Sequence, residues 1–345
     1  MSLESLLTRS WYGGAKWTQL FLPLIPLVRR IVEKKRAVFL ANPALSYTAP
    51  VPVIVVGNIS TGGTGKSPMV VALCEWLRSE GFKPGIVSRG HGAKLSAPTI
   101  VTESSLAQDV GDEPAMLAGR TQCPMVVYPK RAEAVKCLLE RFDVDVVISD
   151  DGMQHYALNR DIEMAMIDAQ RGVGNGYLLP VGPLREPVER LASVDFIVSI
   201  TEQLTAKLNS LPFQVIPAAL QSDCLLSLDG SRSLSFEEAF IKGDKPWHVM
   251  AGIGNPERFL STLKSLGLDK VGSARWFTDH YGYKADDIPK LGPVIMTEKD
   301  AVKCKALSLA NDEVWFLPVR LELPAELKTQ LLQKLNNIQN EKRHE

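Results

Sequence analysis

The chain has no excess of either charge. Its 39 Lys and Arg balance 39 Asp and Glu over 345 residues, so no global field draws it to nucleic acid. Nor does it have a cysteine framework: Cys74, Cys123, Cys137, Cys224 and Cys304 are odd in number and form no CxxC pair. That excludes the usual zinc spacings and fits free thiols in a reducing cytosol. Long biased tracts and internal repeats are missing, and with 23% charged residues a mainly disordered chain is excluded. The uncharged run at residues 17–28 is interrupted by Pro23 and Pro26. It falls short of the ~20 apolar residues a membrane span needs, and no small-residue cleavage site follows it to make it a signal peptide. What remains is a chain with 45% hydrophobic residues, long enough for about two domains. A cytoplasmic α/β protein is expected.

The charge is unevenly placed. Residues 1–50 hold seven basic residues against Glu4 and Glu33, a local +5 that the remainder offsets. Leu24, Leu27, Val28, Ile31, Val32 and Val38 keep helical spacing, while Arg30, Lys34 and Lys35 fall mainly on other faces. Such a segment, with Trp11 and Trp17 beside it, suits the surface of an anionic bilayer. It equally suits a helix packed on the body with solvated cations.

Strand and helix patterns then alternate. Residues 53–56 read as a buried strand, followed by a glycine-rich turn and a helix carrying Met69, Val70, Leu73, Trp76 and Leu77. Strands at 85–87, 125–128, 144–149, 164–167 and 196–200, with a helix over 131–141, continue the rhythm of a doubly wound, mainly parallel sheet. Residues 171–187 carry four glycines and three prolines, a long loop of functional type. The rhythm weakens over 205–234, the expected junction. Strands at 248–253, 294–296 and 314–319 and helices at 257–266 and 325–335 then suggest a smaller α/β domain, with a polar tail fraying from Asn336.

The strongest local signal is GNISTGGTGKSP, residues 57–68, between the first strand and its helix. Gly62, Gly63 and Gly65 let backbone N–H groups turn toward an anion at a helix N-terminus. Lys66 would reach β- and γ-phosphates and the Ser67 hydroxyl would ligate Mg²⁺. Ser60 stands where the full GxxxxGK[ST] pattern has glycine. A P-loop enzyme needs a further carboxylate at a neighbouring strand end, and Asp150 and Asp151 close the strand at 144–149. Other clusters have ordinary readings too. Asp112 and Glu113 suit a helix cap, Asp279 and His280 a surface turn, Thr297 and Asp300 a capping box, and His155 a structural histidine.

In order, GNISTGGTGKSP, SRGHG (88–92), VGDEP (110–114), DDGMQH (150–155), GPLREP (182–187), TDHY (278–281) and TEKDAVK (297–303) resemble the tetraacyldisaccharide 4′-kinases, the lipid A 4′-kinases of Gram-negative bacteria. The resemblance runs from the N-terminal segment to about Lys303. His91, Met153 and Thr278 depart from the Tyr, Phe and Pro of many relatives, without removing a group the chemistry needs.

The resemblance implies a P-loop NTPase-like kinase domain over 41–205, a smaller α/β domain over 206–345 and a membrane-associating segment over 1–40. It implies transfer of the ATP γ-phosphate to the 4′-hydroxyl of a tetraacyl disaccharide 1-phosphate, giving lipid IVA. The enzyme would sit peripherally on the cytoplasmic face of the inner membrane. In that reading Gly62, Gly63, Thr64, Gly65, Lys66, Ser67 and Arg185 hold ATP, and Ser67, Asp150, Asp151 and Glu186 form the Mg²⁺ group. Asp112 is the base on the sugar hydroxyl, supported by His280 and Asp279, with domain closure expected to bring the pair together. Two rivals share parts of the pattern. P-loop switch or partitioning ATPases have the same loop core but often carry a signature Lys where this chain has Thr61. A nucleotide-binding membrane adaptor would leave the downstream acids and His280 without a task.

Overall fold

Short β-branched runs set the strands, and the 3.6-residue apolar period between them sets the helices. In the computed structural model, which describes residues 3–241 and 246–344, the chain opens with α1 (Leu3–Tyr12), a 3₁₀ segment (Trp17–Leu24) and α2 (Ile25–Ala41). Then come β1 (Val53–Gly57), α3 (Lys66–Ser79), β2 (Pro84–Ser88), β3 (Thr99–Val101), α4 (Ala107–Val110) and α5 (Asp112–Thr121). β4 (Met125–Val127), α6 (Arg131–Arg141), β5 (Val146–Asp150), β6 (Ile162–Ile167), β7 (Phe196–Ile200), α7 (Ala206–Asn209) and β8 (Ile216–Ala218) complete the larger unit's sheet.

The strand order is β3-β4-β2-β5-β1-β6-β7-β8, parallel throughout except for the β3–β4 pair. The sheet is buried on both faces, as a parallel sheet must be. Ile54 and Val56 of β1 face the core shared with Leu73 and Leu77 of α3 and Leu117 of α5. Val53 and Val55 face the opposite core with Leu138 of α6. β1 lies between β5 and β6, where the strand order reverses, so the carboxyl ends of these strands open on a crevice.

β9 (Leu220–Gln221) leads out to a second sheet. β10 (Cys224–Ser227), β11 (Ser233–Ser235), α8 (Phe236–Ile241), β12 (Trp247–Ala251), α9 (Pro256–Ser265), β13 (Val271–Trp276), β14 (Val294–Thr297), α10 (Glu298–Cys304) and β15 (Val314–Leu317) build it. Its order is β11-β10-β15-β14-β12-β13, with the β10 pairings antiparallel and the rest parallel. β16 (Arg320–Leu321) returns and pairs antiparallel with β9, so the two passages between the units form one ribbon.

α11 (Ala325–His344) does not fray at Asn336 as its polar sequence suggested. Its Lys342 ammonium donates to the Ala49 carbonyl at 2.9 Å and pairs with Asp161 at 3.2 Å, while Lys334 pairs with Asp195 at 2.7 Å. Leu327, Leu331 and Leu335 are fully buried in the larger unit's core. The helix read from sequence with the smaller domain therefore packs on the larger sheet. The 205–234 stretch, where the strand–helix rhythm weakens, holds the short strands β8, β9 and β10 and the start of β11.

Both readings of the N-terminal segment have a physical counterpart. Ile25 and Val28 pack on the larger unit, Arg29 pairs with Glu189 at 3.3 Å and Arg36 reaches Ser193 at 2.9 Å. Yet Leu20 is 81% exposed, and Leu24, Leu27, Ile31, Val38 and Leu40 also face solvent. Among the described residues no helix is long and apolar enough to cross a membrane.

Candidate active site

The loop after β1 turns through Gly62 and Gly65, whose φ angles of 102° and 94° few side-chain-bearing residues adopt. Asn58 is buried and donates its amide N–H to Thr64 Oγ1 at 3.0 Å, fixing the loop's width. At Ser60, the departure from the motif, the backbone bridges to Leu184. Thr61 N–H donates to the Pro183 carbonyl at 2.9 Å, and Arg185 N–H to the Ile59 carbonyl at 2.6 Å. The Gly/Pro-rich 171–187 loop is thus stitched to the phosphate loop and props it.

Lys66 is the first residue of α3, and Gly62 to Ser67 line a cleft of about 1070 Å³. Its side chain is only 10% exposed, with Nζ 3.4 Å from Asp151 Oδ1 and 3.5 Å from Asn58 Oδ1. It is a held charge rather than a solvated one.

Asp150 and Asp151 are adjacent but differently placed. Asp150 ends β5 at 1% exposure; its Oδ2 accepts from Ser88 Oγ at 2.9 Å, while Oδ1 is buried without a partner. Burial, with the charges of Glu113 and Asp151, pushes its carboxyl up to about 7 against the pull of Lys66 and Ser88. Asp151, at φ 47°, reaches Lys66 and also Arg185 Nη1 at 3.2 Å. Burial raises its proton affinity, but Lys66 and Arg185 outweigh it and the carboxyl stays below its ordinary value. Glu186 does not line the cleft. It is buried, accepting from Gln154 Nε2 at 2.9 Å and from the Tyr156 hydroxyl, with Arg190 Nε 3.8 Å away. His155 lines the cleft, and burial with Arg131, Arg89 and Lys35 nearby pushes its imidazole down to about 4.

The facing wall comes from α5 and the smaller unit. Gly111, not Asp112, occupies the N-cap of α5. Asp112 is thereby free to place Oδ2 3.0 Å from His280 Nδ1. The pair, 168 positions apart in sequence, is in contact in this structure, with the two units brought together around it. Burial raises the Asp112 carboxyl, but the bond to His280 and the charges of Lys303 and Lys299 hold it below the usual range. Asp279 orients His280 through the backbone, accepting its amide N–H at 3.0 Å, and lies 3.9 Å from Nε2. The His91 ring sits 4.8 Å from the His280 ring.

Other residues at this wall carried no functional reading from sequence. Thr297 does cap α10, its Oγ1 accepting from Asp300 N–H at 3.2 Å. Beyond the cap, Lys299 reaches Asp279 and Glu113, and Lys303 lies 3.9 Å from Asp112. Their four-residue spacing on one helix face was the available signal. At the other end of the cleft Arg171 Nη1 donates to the Gly254 carbonyl at 2.9 Å, and Arg258 pairs with Asp168 at 3.3 Å. No signal short of the fold links those.

The donor set fits nucleotide phosphates with a hard divalent cation. No group of three or more His, Cys, Asp or Glu side chains gathers at one point among the described residues. Mg²⁺ with a nucleotide takes only one or two carboxylates plus phosphate oxygens and water. The Asp150 oxygen that is buried without a partner lies just behind the cleft wall, within the field of Lys66, and suits that demand.

A parallel sheet, a glycine-rich loop at the head of a helix, a lysine at that helix's first position and acids at the next strand end place the chain among the P-loop nucleotide-binding proteins. Residues 17–336 match the family model described as tetraacyldisaccharide-1-P 4′-kinase. The chain is 43% identical to the tetraacyldisaccharide 4′-kinase of Shewanella oneidensis over 97% of both chains. With that of Hahella chejuensis it shares 43% identity over 97% of this chain and 98% of the relative. Among solved structures, LpxK from Aquifex aeolicus in complex with ATP matches with a TM-score of 0.74 at 29% identity, covering 92% of this chain and 99% of that one. The chain belongs to the tetraacyldisaccharide 4′-kinase family.

Proposed function

We propose that this protein transfers the γ-phosphate of ATP to the 4′-hydroxyl of a tetraacyl disaccharide 1-phosphate, yielding lipid IVA. The observation that carries the reading is the Asp112–His280 contact at 3.0 Å on the wall of the cleft that holds the phosphate loop. Phosphoryl transfer needs positioning and charge neutralisation more than covalent chemistry. The loop N–H groups of Gly62 to Gly65 cradle the phosphates, and Lys66 leaves Asp151 to reach the transferred group. Arg185 adds a second cation. Ser67, Asp150 and Asp151 would hold Mg²⁺, which would neutralise phosphate charge when bound. Asp112, ionised at neutral pH, accepts the hydroxyl proton, and His280 holds its carboxylate in place. Glu186 supports this group by fixing Gln154 and Tyr156.

The acceptor is acylated, which suits the exposed apolar row of Leu20, Leu24, Leu27 and Ile31 beside the exposed cations Arg30 and Lys34. In this reading residues 1–40 lie on an anionic bilayer, at the cytoplasmic face of the inner membrane.

The test is incubation with γ-labelled ATP and a tetraacyl disaccharide 1-phosphate in mixed micelles. A 4′-phosphorylated product is expected. Lys66→Ala should abolish it while leaving the thermal melt in place, because Lys66 sits at a loop–helix junction outside the apolar cores. ATP hydrolysis indifferent to the acceptor would instead mark a switch-type ATPase.

A further inference from the structure

We propose that Lys299 is a positioning residue for phosphoryl transfer, bridging Asp279 and Glu113 across the two units and so holding the His280 ring against Asp112. The proposal rests on the kinase reading above. Lys299 Nζ lies 3.0 Å from Asp279 Oδ1 and 3.3 Å from Glu113 Oε1. Glu113 follows Asp112 in the chain and Asp279 precedes His280, so one cation binds the neighbours of both members of the pair. The Lys299 side chain is 13% exposed, too buried for an incidental surface charge. Two charge-assisted contacts offset its desolvation. Burial pulls its proton affinity down, but Glu113 and Asp279 raise it further, and the ammonium stays protonated well beyond neutral pH.

His280 needs such support. Its φ of 60° is one that a residue with a side chain keeps only where its surroundings impose it. Asp279 accepts the His280 amide N–H at 3.0 Å, and Lys299 in turn anchors Asp279. Without the ammonium, Asp279, Glu113 and Asp112 would face one another with less counter-charge. Asp279, already 3.9 Å from Nε2, would then compete with Asp112 for the imidazole.

α10 presents Lys299 rigidly. Thr297 caps the helix, and Glu298 pairs with Arg120 at the far end of α5 at 3.2 Å. Lys303, one turn beyond Lys299, lies 3.9 Å from Asp112 and 2.8 Å from Asp300. α5 and α10 thus run in opposite senses, joined by three pairs of opposite sign.

The charged and titratable groups around the Asp112–His280 pair are Glu113 on α5, His91 from the 88–92 loop, Asp279, and Lys299, Asp300 and Lys303 on α10. Lys299 is one of the cations holding the Asp112 carboxyl down, so its loss raises that carboxyl. A base must be deprotonated to act, so the low-pH limb of kcat moves to higher pH.

The experiment compares the full-length wild type with Lys299→Met and Lys299→Arg. It measures kcat, KM for ATP, the pH dependence of kcat and equilibrium ATP binding. Lys299→Met should lose about 10²-fold in kcat, the scale of a ~1 Å misplacement. Its low-pH limb should move upward, and ATP affinity should stay within about twofold, a prediction that follows from the site assignment. Lys299→Arg should recover most of the rate, because a guanidinium can also bridge two carboxylates. A kcat within about threefold of wild type in Lys299→Met, or a loss with an unmoved pH limb, overturns the proposal. So does a loss of ATP affinity as large as the loss in kcat, which would make Lys299 a phosphate ligand. Should Lys299→Met melt early, the pH limb of Lys299→Gln decides by the same criterion. A wild type that hydrolyses ATP without phosphorylating the acceptor sinks the kinase reading and this inference together. A wild type that phosphorylates it beside an indifferent Lys299→Met sinks only this one.

Discussion

Asp112→Asn keeps the size of the side chain but removes the charge that takes a proton. General-base contributions are typically about 10²- to 10⁴-fold, or ~2.7–5.5 kcal/mol of barrier. His280 acts through a hydrogen bond to an ionised carboxylate, 3.0 Å long. Such bonds contribute about 1.5–3 kcal/mol, so His280→Gln alone should lower the rate roughly 10- to 10²-fold. Once Asp112 is neutral, His280 has no anion to hold. The double variant should therefore cost little more than Asp112→Asn alone, because residues acting as a unit are non-additive. The cycle is best measured in single turnovers at saturating ATP, so that product release does not mask the transfer step. Equilibrium ATP binding should be unchanged in all three variants. Fully multiplicative losses would show that the two side chains act independently. An unchanged transfer rate in Asp112→Asn would be more damaging, since the base would then be another group such as Asp150 or Asp151.

A Cβ added at Gly254 would stand 3.0 Å from Gly63 N and 3.4 Å from Gly62 Cα, which are backbone atoms of the phosphate loop. Overpacking of this kind costs about 1–3 kcal/mol, so Gly254→Ala should weaken ATP binding ~5- to 150-fold by equilibrium titration, and an unchanged affinity would contradict the contact. Leu331→Ala should lower unfolding free energy by about 2–5 kcal/mol in urea titrations; a loss under ~1 kcal/mol would mean that α11 does not complete the core. Leu27→Asp combined with Ile31→Asp should release the protein from anionic vesicles. Salt should weaken wild-type binding as well, since each basic residue near such a surface contributes about 1 kcal/mol. Point changes are preferable to deleting the segment, because Thr18 is buried and donates to the Val181 carbonyl of the 171–187 loop at 2.8 Å. Vesicle binding untouched by both changes would move the membrane contact elsewhere.

What was legible in the sequence was what local chemistry encodes. A strand, a glycine-rich turn and a helix are contiguous, so the phosphate loop and its Lys66 could be read from residues 57–68 alone. Asp150 and Asp151 followed from the strand before them. Pairings set by tertiary packing were not legible. β3, β9 and β11 are too short and too exposed to show an apolar period. The apolar face of α11 is plain in Leu327, Leu331 and Leu335, but periodicity does not say which core receives it. TEKDAVK reads as a capping sequence, and the cap is real, yet it hides a helix whose lysines reach the other unit. The family resemblance set Glu186 among the metal ligands, but its side chain is turned into the body of the larger unit. Its buried partners Tyr156, Gln154 and Arg190 come from positions that spacing does not connect.

The docking of α11 also bears on how the chain folds as it is made. The larger unit's core includes Leu327, Leu331 and Leu335, which are made only after the whole of the smaller unit. About a hundred residues separate the end of β8 from the start of α11, roughly 5–20 s of synthesis. Throughout that interval the part of this core that α11 covers stays open, whereas the smaller unit already has every strand and helix it needs. Closure therefore runs against chain order, with the later unit finishing first. A nascent chain stopped before residue 325 would present a sticky, half-covered nucleotide domain, so a stop there undermines the larger unit rather than the smaller one beside it.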